Sequence, residues 1–372
     1  MPFSIVRDDI THLQVDAIVN AANERLWQGG GVCGAIFAAA GARELQVACD
    51  EIGHCPTGGA VATPAFALPA RHVIHAVGPV WHGGHAGEEA ALRSCYRRSL
   101  ELALELGDSS IAFPLISSGI YGYPKEQAID VAIDEIRTFL QQHDLDVRLV
   151  LFDIEAMRTI RGRFGDVTER INDVYAREYP YRYRANWEPG AGWMAPEGAS
   201  ADDTATFDFP RERREESAPM AAPAPTGAKP RGSGPRFGAA RRSDERADDR
   251  KSLIGKLLKH LDASFSTTLL RMIDERGLKD SEVYRRANMS RQHFSKIRSN
   301  PRYKPKKQTV LALAVALELS LDDTRMLLER AGFALTHAEE RDVIVEFFIE
   351  QGTYDIYEIN LALYAFDQPL LG

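Results

Sequence analysis

VDAIVNAANERLWQGGGVCGAIFAAAG, residues 15–41, packs an apolar run, two asparagines, three consecutive glycines and a helix start into one short span. Residues 15–19 are β-branched and apolar enough for a buried strand, and the run ends toward Asn20 and Asn23, whose amides both donate and accept. Gly29, Gly30 and Gly31 free the backbone to take positive φ and to approach a ligand closely. Residues 32–40 are Ala-rich and helical in pattern, so the first unbonded amides of that helix would point back at the glycines. A helix start of this kind suits an anion, phosphate above all. A plain glycine turn between strand and helix reads the same way; the asparagine pair and a second loop weigh against it.

That second loop lies about ninety residues on. Residues 109–116 (SSIAFPLI) read as a buried strand that runs into Ser117, Ser118, Gly119, Ile120, Tyr121 and Gly122, with Pro124 at the next helix start. Strand, small residues with glycine, then helix is the arrangement of the first loop repeated. Around these, residues 2–6, 59–65, 72–77 and 147–152 read as strands. Residues 43–52, 88–106, 125–142 and 164–178 read as helices. Strands alternating with helices predict a three-layer α/β/α domain with a mixed, largely parallel sheet. Ligands bind such sheets at the carboxyl ends of the strands, where both glycine loops would fall. The two loops would then close on a pyrophosphate from opposite sides, with backbone amides as donors and no fixed lysine. Asp9, in the turn after the first strand, suits either a helix cap or a hydrogen bond from the exocyclic amine of a base. His72 and His75 are expected on one face of their strand, packed rather than ligating. Cys49, His54 and Cys55 lie close in sequence but lack paired metal-ligand spacing, so no metal and no cofactor is assigned.

The chain has 372 residues, enough for two domains, and a net charge of -8 that argues against wholesale coating of nucleic acid. Four cysteines, Cys33, Cys49, Cys55 and Cys95, form no C-x-x-C pair, which fits free thiols in a reducing cytosol. The start, MPFSIVRDDI, has no signal-peptide pattern and no apolar run of membrane-spanning length follows, so a soluble cytoplasmic protein is expected, with no membrane partner. Three regions are predicted: an α/β domain with a C-terminal helix over 1–179, a disordered Pro-, Gly- and charge-rich linker over 180–250, and an all-α domain over 251–372. In the last, residues 266–275, 281–287, 291–299, 309–319, 322–331 and 339–351 read as helices, with Asp280 and Ser290 as caps and an amphipathic tail from 354. Helix, short helix, tight turn, helix is the helix-turn-helix pattern. Arg291, Gln292, His293 and Lys296 would lie on the early face of the recognition helix, and no acidic residue occurs from 285 to 307. This basic stretch suits DNA phosphates; a solvated face of an interaction domain is the other reading.

The first domain resembles the macrodomain family, in its MacroD-type branch. The residues that carry the resemblance are Asp9-Ile10-Thr11, VDAIVNAAN, GGGV with its helix, Val77-Gly78-Pro79 and SIAFPLISSGIYGYP. The resemblance implies a site for ADP-ribose or an ADP-ribosylated protein, and, in many members, removal of ADP-ribosyl or O-acetyl groups. It implies that Asp9 accepts from the adenine amine, Ile10 contacts the base and Asn23 holds the distal ribose. Gly30, Gly31 and Val32 on one side, with Ser117, Ser118, Gly119, Ile120 and Tyr121 on the other, would wrap the pyrophosphate. Phe152 would lie near the adenosine and Asn20 behind the site. Active members carry an aspartate straight after GGGV and a histidine one turn on; here these are Cys33 and Phe37. That leaves Asn23 and Cys33 as the catalytic candidates, with the thiol as base or nucleophile. The C-terminal region resembles, less specifically, the Cro/cI-type helix-turn-helix through DSEVYRRANMSRQHFSKIR and ALAVALELSLDD, with a basic insertion over 300–307 as a departure. Reading Gly29, Gly31 and Gly34 as a dinucleotide fingerprint fails, because Asn20 to Gln28 separate them from the strand and no acidic residue ends the next strand.

Overall fold

The computed structural model describes residues 2–151, 154–178 and 263–372. Six strands, β1 (Phe3–Val6), β2 (Ala17–Ala22), β3 (Ala60–Pro64), β4 (His72–Val77), β5 (Ser110–Pro114) and β6 (Asp146–Val150), form one sheet in the order β1-β6-β5-β2-β4-β3. Neighbours are parallel except β3 with β4, so one antiparallel edge closes an otherwise parallel sheet. Alternation along the strands feeds two apolar layers. Val19, Ile74 and Ile111 pack with Leu92, Tyr96 and Ile129 of α3 (Glu88–Glu105) and α4 (Lys125–Leu140). On the other face Ile18, Val73 and Ala112 pack with Ile36, Phe37 and Leu45 of α1 (Gly31–Ala40) and α2 (Ala42–Ile52).

This strand order opens the crevice. After β2 the chain departs toward β4 and β3, and after β5 it departs toward β6 and β1, although β2 and β5 are neighbours. Their carboxyl ends therefore form a topological switch point, the place where open α/β sheets take ligands.

Three local expectations change. β2 continues to Ala22, because Asn20, Ala21 and Ala22 pair with His75, Ala76 and Val77. The helix expected to continue past residue 40 breaks at Gly41, where φ is +99° and α1 and α2 meet at 109°. A helix without a clear apolar pattern, α5 (Ile154–Arg163), precedes α6 (Gly165–Glu178).

The C-terminal helices are α7 (Phe265–Glu275), α8 (Asp280–Arg286), α9 (Arg291–Ser299), α10 (Lys307–Ala316), α11 (Leu321–Ala331), α12 (Glu340–Glu350) and α13 (Ile356–Ala365). Ser264, Ser290 and Ser320 cap α7, α9 and α11, each hydroxyl accepting the amide three residues on. Asp280 is not the cap of α8; it lies in the first turn, and Glu282 accepts the Lys279 amide instead. Nor is α13 amphipathic. Every residue of it but Glu358 is buried, because β1 and α5 lie against it as well as α10 and α12.

The described residues of the sheet region and of the helical region pack as one compact unit. Asn288, in the left-handed region between α8 and α9, clamps the edge strand: Oδ1 accepts the Phe3 amide at 2.9 Å and Nδ2 donates to the Phe3 carbonyl at 2.8 Å. The Tyr364 hydroxyl donates to the Leu151 carbonyl, and the Arg137 guanidinium pairs with Asp355. An uncovered β1 would offer unpaired backbone for intermolecular pairing. Among the described residues no single helix is long and apolar enough to cross a membrane. The expected linker, 180–250, and the candidate Phe152 lie outside the described residues.

Candidate functional site

At the carboxyl ends of β2 and β5 a cleft of about 840 Å³ opens, a size suited to a nucleotide-sized ligand. The 29–33 loop and the 117–121 loop form its walls, with Asp9, Ile10 and Leu151 also lining it and Asn23 and Tyr121 on the side of a neighbouring groove.

The first loop ends in Gly30, which precedes α1 without any side-chain cap, so the leading amides of that helix keep no partner from a cap. Gly31 sits at φ +61°, a conformation that disfavours other residues. The loop lies back on its own helix: the Cys33 sulfur accepts the Gly29 amide at 3.4 Å, and a Cβ on Gly34 would stand 2.8 Å from the Gly29 carbonyl oxygen.

The second loop is closed by hydrogen bonds from the Gly122 amide to the Gly119 carbonyl and from the Tyr123 amide to the Ser117 carbonyl. The amides of Gly119, Ile120 and Tyr121 donate to nothing among the described residues. Ser117 stands at φ +64°, and its hydroxyl is buried with no hydrogen-bond partner. The loop can pass there only because residue 78 is glycine, since a Cβ on Gly78 would lie 2.2 Å from the Ser117 hydroxyl oxygen. The two loops come within reach of one another: a Cβ on Gly30 would lie 3.6 Å from Ile120 Cδ1, and Ile120 is 83% exposed.

Asp9 is both a cap and a lining residue. Its Oδ1 accepts the Thr11 amide at 2.9 Å and the Thr11 hydroxyl at 2.7 Å, bonds that hold its carboxyl below the usual carboxylate range. Ile10 is buried beside it. Asn23 staples its own turn: Nδ2 donates to the Trp27 carbonyl at 2.7 Å, and Oδ1 accepts the Arg25 and Trp27 amides at 3.2 Å. Gly30, Gly31, Val32, Cys33, Ser118 and Tyr121 also line the cleft.

Asn20 does not. It is 1% exposed beneath α1 and α2, where Nδ2 donates to Nδ1 of His75 at 3.1 Å and Oδ1 has no partner. Its place in mid-strand puts it on the layer of Ile18, away from the crevice. With Nδ1 accepting, the His75 proton resides on Nε2, which lies 2.9 Å from the Thr63 hydroxyl and 3.7 Å from the Cys49 sulfur. Burial pushes the His75 imidazole down to about 4, so it is neutral, and its ring meets Phe37 edge-on. His72 faces the opposite side and bonds Asp108 at 2.9 Å. The expected shared face fails because a spacing of three reverses strand alternation.

Lys125, at the start of α4, joins the lining, against the expectation of a site without lysine; its position straight after the second loop and Pro124 was the available signal. In the helical region Arg291, Gln292 and Lys296 are exposed along α9. His293 is not: Nε2 lies 2.9 Å from the Tyr303 hydroxyl, and burial, with Lys296 and Lys306 nearby, lowers its pKa. Its ring pins the 300–306 insertion onto the helix.

Residues 19–132 match the Macro domain family. A Macro domain-containing protein of Methanosarcina mazei is 47% identical over 165 residues, which is 44% of this chain and 88% of the relative. Another, of Chlorobaculum tepidum, is 58% identical over 135 residues, 36% of this chain and 78% of the relative. An O-acetyl-ADP-ribose deacetylase of Escherichia fergusonii is 48% identical over 160 residues, 41% of this chain and 90% of the relative. A two-loop cleft at the switch point of a mixed six-stranded sheet, and identities near one half across most of each relative, lead to one statement: the chain belongs to the macrodomain family.

Proposed function

We propose that the cleft binds ADP-ribose, free or as an ADP-ribosyl group on a protein. The observation that carries this reading is a pair of loops from neighbouring strands, each presenting unbonded amides, separated by little more than the Ile120 side chain. A diphosphate engages both sets of amides at once. Asp9 Oδ2, which has His12 Nδ1 at 3.9 Å, would accept an exocyclic amine above Ile10, and Asn23 and Tyr121 would face the far sugar of such a ligand. The buried, unpartnered hydroxyl of Ser117 adds a polar group that a ligand satisfies. Calorimetric titration of the full chain with ADP-ribose tests the reading, with Gly31→Glu as control. Saturable binding that the control lacks supports it, and no heat at millimolar ligand overturns it.

The second reading is a hydrolase that removes ADP-ribose from proteins or acetyl from O-acetyl-ADP-ribose, favoured by the name of the Escherichia fergusonii relative. Against the usual route stand Cys33, whose sulfur is engaged by the Gly29 amide, and Phe37, which is fully buried. No histidine or glutamate lines the cleft among the described residues, and its aspartates are Asp8 and Asp9. We therefore infer a binder, with Asn23 and Cys33 as the groups to test for residual turnover. Release of ADP-ribose or acetate above the Gly31→Glu level would reverse that order.

For the helical region we propose contact with duplex DNA through the α8–turn–α9 unit. Arg291, Gln292 and Lys296 are exposed on α9, and Arg302, Lys304 and Lys306 extend the same basic stretch. The full chain should shift duplex DNA in a salt-sensitive way that Arg291→Ala with Lys296→Ala abolishes. No shift at low salt would leave a protein-interaction face. Four buried free thiols fit a reducing, cytoplasmic setting.

A further inference from the structure

The helical region fastens the outer edge of the sheet at two points of α13, Tyr357 and Tyr364. Two turns of helix separate them, so they share one face about 10 Å apart. At the start of β1 the Tyr357 ring meets the Phe3 ring, with centroids 5.4 Å apart. At the far end the Tyr364 hydroxyl donates to the Leu151 carbonyl at 3.0 Å, on a residue only 8% exposed. β1 also advances about 10 Å from Phe3 to Val6, so helix and strand match in length. Burial pushes the Tyr364 phenol up to about 12, which keeps its proton in place as a donor at neutral pH.

Leu151 joins this seam to the cleft. Its amide donates to the Val6 carbonyl at 2.9 Å, carrying the β1–β6 pairing one step past the strand ends, and the residue lines the cleft with Asp8, Asp9 and Ile10. The end of the cleft that would take the base is therefore built where the edge pair stops. The two glycine loops follow β2 and β5, which lie inside that pair in the sheet order. Without the Tyr364 hydroxyl a buried carbonyl loses that donor. The base end then loosens before the diphosphate end does.

We propose that Tyr364 is a positioning residue for base recognition: through the Leu151 carbonyl, the helical region holds the Asp9 end of the cleft in the shape that distinguishes adenine. The inference rests on ADP-ribose binding by the cleft with Asp9 accepting the exocyclic amine, and the experiment tells the two apart. Full-length protein is titrated calorimetrically with ADP-ribose and with its inosine analogue, in which a carbonyl oxygen replaces that amine. The parent should prefer ADP-ribose by about tenfold or more. Tyr364→Phe keeps the ring and should weaken ADP-ribose about fivefold, the scale of one hydrogen bond, while the inosine analogue stays within about twofold of the parent. Asn360→Ala is the stability control, because the Asn360 side chain bonds the Leu371 amide and carbonyl within the helical region. It should lower the melting temperature at least as much as Tyr364→Phe and keep the parental preference. Equal losses for the two nucleotides, undiminished ADP-ribose affinity in Tyr364→Phe, or the same loss of preference in Asn360→Ala overturns the proposal with the cleft reading intact. A parent that binds both nucleotides alike overturns the base assignment and the proposal together, and a parent that binds neither overturns the cleft reading as well.

Discussion

The two glycine loops repeat one pattern in sequence and are held in opposite ways. The 29–31 loop is supported by its own helix: Gly31 takes the left-handed turn, Gly34 admits the Gly29 carbonyl, and Cys33 receives the Gly29 amide. Beneath that helix lies a buried polar chain, with Phe37 resting on His75 and His75 on Asn20 and Thr63. The 117–121 loop is supported from outside. A serine takes its left-handed position, and the glycine that makes room for it, Gly78, belongs to another strand end. One loop carries its conformational freedom within itself; the other borrows it from a neighbour.

Breaking the first loop should have the largest effect. Gly31→Glu forces a side chain into a positive-φ position at the mouth of the amide cradle, and we expect ADP-ribose affinity to fall at least 100-fold, about 2.7 kcal/mol, in calorimetry, with a stability loss of only about 1 kcal/mol from the left-handed strain.

The support beneath that loop should show in the acid limb of stability. An ordinary imidazole titrates near 6.5, whereas His75 in the fold titrates at about 4. The unfolded chain therefore takes up this proton first as pH falls. Stability from this group is whole above pH ~6.5 and declines toward pH 4 by up to about 3 kcal/mol. Chemical denaturation between these limits should show that slope, and His75→Gln should flatten it at the cost of lower stability at neutral pH. An unchanged slope in the variant would remove the polar chain as the loop's foundation.

The borrowed freedom of the second loop is tested by Gly78→Ala. Its Cβ would fall 2.2 Å from the Ser117 hydroxyl and 2.6 Å from Ile116 Cγ2, so a stability loss of about 2 kcal/mol together with weaker ADP-ribose binding is expected. Ser117→Gly should do least to the fold, relieving about 1 kcal/mol of left-handed strain while removing the orphaned hydroxyl. A gain in melting temperature with a few-fold loss of affinity would identify that hydroxyl as a ligand contact; unchanged affinity would assign it to the fold alone.

Much of this was legible from the residues. Both loops, their flanking strands and helices, and the capping role of Asp9 follow from spacing and residue type, because periodicity and backbone freedom are local properties. The length of β2 was less legible: the strand continues to Ala22 through pairing with β4, which the apolar run did not disclose. His72 and His75 needed only the parity of a strand to be separated. Nothing local marks Gly78 as the gap beside Ser117 or Asn288 as the clamp on Phe3, because each depends on an element distant in sequence. The apolar tail reads as amphipathic until β1 and α5 are laid against it.

By itself, then, the amino-acid sequence determined two strand–glycine–helix units, an α/β sheet and a separate basic helical stretch, since hydrophobic period and the left-handed tolerance of glycine act within a few residues. Only the tertiary structure decided that the two units meet across one crevice, that a polar chain rather than a ligand occupies Asn20, that the helices close the edge of β1, and that a second groove opens beside Asn23. Those outcomes rest on strand order and on contacts between residues far apart in the chain, where packing sets the distances.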